Sequence, residues 1–175
     1  MTTEEFWKLI ESTKDSDPEA QAETLVENLV KLEPAEILAF GHMWDQYHGE
    51  AYTWKLWAAA YIMNGGCSDD SFMDFRSWLL LQGQSVYEAA LKDADTLASV
   101  KCEPDEASCE CYPAAEAYCA VTASDDHHVY YDALEAAHGG RENSDVPAGE
   151  EWDFDDEEEM KYRMPKLFKK FSVDS

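Results

Sequence analysis

The chain has 175 residues, 45% of them hydrophobic and 13% aromatic, which is one domain's length and enough apolar mass for a core; a wholly disordered chain is excluded. Against 13 basic residues stand 38 acidic ones, a formal charge of −25. That balance argues against direct grip on a nucleic-acid backbone or an anionic membrane, both of which need Lys and Arg.

The first segment, Met1-Thr2-Thr3-Glu4-Glu5, is acidic, and no run of 18 apolar residues follows anywhere. The expectation is therefore a cytoplasmic protein with neither signal peptide nor membrane span. A first helix is predicted from about Thr3, capped by Thr2 or Thr3, with Phe6, Leu9 and Ile10 on one face. Asp17-Pro18-Glu19 opens a second, because Asp caps and Pro suits the first helical position. Glu33-Pro34 opens a third, with Ile37, Phe40, Trp44 and Tyr47 at helical spacing and Gly49 ending or bending it. Ala51 to Met63 is apolar on most sides, the pattern of a central helix, and Asn64-Gly65-Gly66 stops it.

Ser68 caps a fifth helix that ends near Gly83. A sixth runs from Ser85 to Lys92, and Asp95 is placed to cap a short turn at Thr96-Leu97-Ala98. From Lys101 to Tyr112, acids, Pro104 and three cysteines suggest an exposed loop. Helices follow at Ala114–Thr122 and His128–His138, then a loop over Gly139–Gly149. Residues 150–159 hold eight acids, and Lys161, Arg163, Lys166, Lys169 and Lys170 come next. Pro165 starts a last short helix. No repeat and no strand-period segment is present. The predicted class is all-α: a single compact multi-helix domain over 1–148, with a peripheral acidic and basic extension over 149–175.

Several of these residues form a recognisable pattern. Phe6-Trp7, then Tyr52 with Leu56-Trp57-Ala58-Ala59-Ala60-Tyr61, then Gly65-Gly66-x-Ser68-Asp69-Asp70-x-Phe72-x-Asp74-Phe75-Arg76-x-Trp78-Leu79 resemble a bacterial family, the domain of unknown function 4240. Gly149-Glu150-Glu151-Trp152-Asp153 and Pro165-Lys166-Leu167 look like that family's ending. The resemblance implies an architecture and no assigned activity; members are loosely described as regulators of molybdenum metabolism.

Three places in the sequence could carry chemistry. The first is the Ser68–Arg76 helix. Asp70 and Asp74 are four apart and share a helical face; Asp69 and Arg76 are seven apart and share another. Paired carboxylates can hold a divalent ion or divide acid and base roles. Equally, acids in a first turn stabilise the helix dipole, and Arg76 can tie the helix to an acidic neighbour. A ligand pocket here would be walled by Trp57, Tyr61, Asp69, Asp70, Asp74 and Arg76. Of the six tryptophans, Trp54 is the best exposed candidate, whereas Trp57 reads as core.

The second place is Cys102, Cys109, Cys111 and Cys119, spaced C-x6-C-x-C-x7-C. Zinc is a possible ligand, but the spacing lacks the usual C-x2-C pair, so reduced thiols or a disulfide are the competing readings. Otherwise no cofactor is expected. A dyad of Cys119 with His127 or His128 is conceivable, while His42 and His48 read as structural.

The third place is the acidic run itself. Glu150, Glu151, Asp153, Asp155, Asp156 and Glu157 would meet a basic protein partner, or fold back on the chain's own basic tail, or form a solvated linker. The leading expectation is a non-enzymatic acidic interaction or regulatory protein that binds a cationic protein partner, of inhibitor, immunity or regulator type. The alternative is a small-molecule-binding or metal-binding enzyme centred on the Ser68–Arg76 helix and Trp57. A third account gives the charge no partner and ascribes it to a saline proteome.

Overall fold

A computed structural model describes residues 1–140 and 144–171; parts of the expected 139–149 loop and of the basic tail, 141–143 and 172–175, lie outside the described residues. The chain is all-α. Among the described residues it forms ten α-helices and one 3-10 helix, and its only extended pairing is an isolated bridge between Thr53 and Ala148. It divides into two compact units, Met1–Gly49 with Glu110–Ser144, and Glu50–Cys109 with Asp145–Ser175.

The first unit holds α1 (Thr3–Glu11), α2 (Pro18–Leu29), α3 (Pro34–Glu50, which runs one residue past the unit's boundary), α7 (Pro113–Thr122) and α8 (His128–His138). Local chemistry explains the starts. Thr2 accepts from the Glu5 N–H while Glu5 accepts from the Thr2 N–H, a complete capping box. Asp17 accepts from the Glu19 and Ala20 N–H groups, and Pro18 needs no acceptor. Gly49 does not end α3, which continues to Glu50. The core gathers Phe6, Ile10, Leu25, Leu29, Ile37 and Phe40, all fully buried. Phe6 sits against Trp7, Phe40 and Tyr47 with ring centroids 4.9–5.1 Å apart.

The second unit holds α4 (Trp54–Met63), α5 (Asp69–Leu81), α6 (Gln84–Lys92), a 3-10 helix (Ala94–Ser99), α9 (Glu157–Arg163) and α10 (Pro165–Phe171). The expected start of α4 at Ala51 is three residues early. Thr53 caps the helix through the Leu56 N–H, and the Tyr52 carbonyl is used instead by the Ala148 N–H. Gly65, with φ 64°, ends the stop after α4 in the left-handed region. Leu56, Ala58, Ala59, Ala60 and Met63 of α4 and Phe72, Phe75 and Leu79 of α5 are all buried core.

Three local expectations are corrected. The 3-10 helix is capped by Asp93, which accepts from the Asp95 N–H at 3.1 Å. Asp95 itself points elsewhere: its carboxylate accepts from the Lys166 N–H at 2.9 Å and the Leu167 N–H at 2.8 Å, at the start of α10. The 101–112 segment is not exposed throughout, since Ala107, Cys109 and Cys111 are buried while Glu103 to Glu106 face solvent. Finally, α9 forms inside the acidic-to-basic switch. Its signal is Asp156 capping the N–H groups of Glu158 and Glu159, three glutamates in the first turn, and Lys161 and Arg163 in the last. Met160, Met164, Leu167 and Phe171 of this C-terminal stretch are buried, so it contributes to the core of the second unit.

Candidate functional site

The predicted ligand residues all fall in the second unit, and the aromatic ones assemble. Trp54 and Trp57 stack at 5.5 Å and 11°, and Trp57 stacks on Phe72 at 4.9 Å and 15°. Both tryptophans are half-buried, so the expected contrast between an exposed Trp54 and a core Trp57 is absent. The Trp57 indole N–H is satisfied by the Cys67 carbonyl at 2.9 Å. Arg76 folds back along α5. Its Nε donates to the Phe72 carbonyl at 3.3 Å, and its guanidinium lies 4.8 Å from the Tyr52 ring centroid and 5.1 Å from that of Phe72. Such a half-buried cation over two ring faces is held by their quadrupoles as well as by charge.

The carboxylates are placed differently from the aromatics. Asp69 and Asp70 are exposed in the first turn of α5, behind the Ser68 cap. Asp74 is half-buried, and its backbone carbonyl accepts from the Cys109 N–H at 3.2 Å. Asn64 joins this end of α4 to the acidic loop: its side chain accepts from the Ala107 N–H at 3.1 Å and donates to the Ala107 carbonyl at 3.0 Å. Exposed Glu103, Asp105 and Glu106 are thereby held at the end of α4, from which Gly65 and Gly66 lead into Asp69 and Asp70. Sequence reading did not link these two acidic segments; only the tertiary pairing of Asn64 with Ala107 does.

The acidic run is also engaged. Glu150 receives the Arg163 guanidinium through two hydrogen bonds, 3.1 and 3.3 Å, and Arg163 also pairs with Glu159. That hydrogen bonding holds the Glu150 carboxyl below the usual carboxylate range. The pair thus survives acidification past the range where unpaired glutamates protonate, and is lost as pH falls through the lowered value. Asp155 accepts from the Tyr61 hydroxyl at 2.5 Å, which raises the Tyr61 phenol's pKa. Asp156 caps α9, Glu157 pairs with Lys161 at 3.4 Å, and Asp153 accepts from the Asp155 N–H at 2.9 Å. Glu151 is exposed. The fold-back of the acidic run onto basic residues is therefore a geometric fact, although exposed pairs of this kind contribute only about 0–1 kcal/mol each.

Cys67, Cys102 and Cys119 have little thiolate character. Burial, reinforced by Asp69, pushes the Cys67 thiol up to about 12, and burial with Glu106 pushes Cys102 up to about 11. Burial also raises Cys119, whose Sγ donates to the Asp126 carbonyl at 3.6 Å, an arrangement opposed to thiolate formation in the imagined dyad with His127 or His128. Cys109 and Cys111 are buried. Among the described residues, no three His, Cys, Asp or Glu side chains are grouped to hold a metal ion. His42 stacks on His138 at 4.5 Å, and burial followed by the His42 charge lowers the His138 pKa. Iodoacetamide at pH 8 is expected to leave Cys67 and Cys102 mostly unlabelled in the folded chain and to label both in denaturant. Mass mapping of the adducts checks this, and rapid labelling of either residue in the folded protein would contradict it.

The sequence pattern of a family described as protein of unknown function, DUF4240, matches residues 1–133. That span includes the α4 and α5 motifs and stops short of the 149–153 and 165–167 segments. No curated protein and no solved structure matches the chain.

Proposed function

The chain belongs to the DUF4240 family, and from that premise we propose that it is a non-enzymatic regulatory protein of the bacterial cytoplasm that binds a cationic protein partner. The observation that carries this reading is the pairing of Asn64 with Ala107, which sets the exposed acids of the 103–106 loop at the end of α4 that leads into Asp69 and Asp70. In a chain of charge −25, such a face accelerates encounter with a basic surface about 10-fold or more and selects against acidic ones. The test is affinity capture by the wild type and by Asp69→Ala/Asp70→Ala. A stoichiometric basic protein should be retained at low salt, released near 0.5 M salt where screening reaches a few Å, and retained less by the variant. Salt-insensitive capture, or no basic partner, sinks the proposal.

A second reading is a small-molecule site beside Trp57, favoured by the half-buried Arg76 guanidinium over Tyr52 and Phe72. A guanidinium suits an oxyanion, and the family's loose association with regulation of molybdenum metabolism belongs with this reading. Calorimetry with molybdate, using Arg76→Lys as the control, separates it from the first: heat that vanishes in the variant favours the small-molecule site.

A further inference from the structure

We infer that residues Val146–Asp155 form a strap that opens independently of the two helices after it, uncovering the aromatic face of α4.

Most of the strap's residues are solvent-exposed. At its start a bridge ties it down: the Ala148 N–H donates to the Tyr52 carbonyl at 2.9 Å, and the Trp54 N–H donates to the Ala148 carbonyl at 3.1 Å. Gly149 follows with φ 96°, a conformation that permits a sharp change of direction. Phe154 then lies against Trp54 and Tyr61, with ring centroids 6.0 and 5.6 Å away. The Trp152 indole N–H donates to the Met160 Sδ of α9 at 3.2 Å, and two latches grip the strap's carboxylates. One is the Tyr61 hydroxyl on Asp155. The other is Arg163, which grips Glu150 and lies 4.4 Å from the Trp152 ring centroid. Of the strap's residues Pro147 is buried and Trp152 and Phe154 are half-buried, while Ala148, Glu150, Glu151, Asp153 and Asp155 are exposed.

The next segment is held in another way. Met160, Met164, Leu167 and Phe171 are buried, and the buried Asp95 carboxylate fixes the start of α10. Segments with little buried apolar surface open at lower free energy than segments seated in the core. The strap therefore releases while α9 and α10 stay docked. Its release does two things at once: it uncovers Trp54 and Tyr61, and it frees the Glu150 and Asp155 carboxylates. An aromatic face and two unpaired acids appear together only in the open state.

The test is residue-resolved amide exchange on the full chain by NMR, with no partner present, so its outcome is separate from that of the capture experiment. Breaking the first latch with Arg163→Gln is expected to speed exchange at Ala148 and Trp54 by about tenfold, with Leu167 unchanged. Tyr61→Phe removes the second latch without changing a residue of α9 or its cap. It should act on the same amides in the same direction, and it decides the matter should Arg163→Gln fail to fold. Exchange at Ala148 that follows Leu167 in step overturns the inference, as does exchange at Ala148 indifferent to the latch variants.

Discussion

Replacing Asp95 with alanine is expected to destabilise the second unit by about 2–3 kcal/mol, because it strips the acceptor from one buried and one part-buried backbone donor. The reason lies in how α10 begins. Pro165 is its first residue and has no N–H, and Met164 before it has no side chain able to cap. The first donors in need are the N–H groups of Lys166 and Leu167, and both are met by the Asp95 carboxylate, which is 4% exposed. The cap thus comes from 71 positions away in the chain. Asp95→Asn keeps one acceptor oxygen and loses the charge, so it should fall between wild type and alanine. Lys166→Ala should change little, because the Lys166 Nζ is 3.9 Å from Asp95 on a side chain 69% exposed. Urea unfolding of the three variants, with amide exchange at Leu167, measures this. Wild-type stability in Asp95→Ala would show that α10 is held by its apolar side chains alone.

That dependence illustrates which parts of the structure the sequence declares. Helices with their own caps are legible: Thr2 with Glu5, Asp17 with Pro18 and Ser68 with Ser71 all lie within three residues of what they cap. Asp95 lies within a short helix that its residue type also suits as a cap, and nothing in the sequence nearby reveals that α10 is its real partner. Likewise, Asn64 and Ala107 are 43 residues apart and announce themselves to no motif. α9 escaped notice because its first turn is all acid and its last is basic. That pattern resembles a solvated linker until the dipole and the Lys161 and Arg163 pairs are considered. Within the candidate site, the aromatic content of α4 was visible from spacing. The stacking order from Trp54 to Trp57 to Phe72 and the turn of Arg76 over Tyr52 were not, because they depend on packing across helices.

Gly41→Ala is expected to destabilise the first unit by up to about 2 kcal/mol, against the usual sign for such a change. Within a helix, alanine ordinarily stabilises relative to glycine by about 1 kcal/mol, and Gly41 lies well inside α3. Here, though, a Cβ would stand 2.1 Å from the Tyr130 hydroxyl and 3.1 Å from the Ala114 Cβ. Tyr130 is 3% exposed and its ring touches Tyr118 and Tyr131, so it cannot swing aside without disturbing them. Overpacking of this kind costs about 1–3 kcal/mol and outweighs the gain in helix propensity. The cause is separable from a general intolerance of change in α3. Tyr130→Phe removes the offending oxygen, so Gly41→Ala should be markedly less harmful in a Tyr130→Phe background than in the wild type. A double-mutant cycle on unfolding free energies reads that coupling directly. Equal losses in both backgrounds would mean that the clash lies with Ala114 or with the ring itself rather than with the hydroxyl.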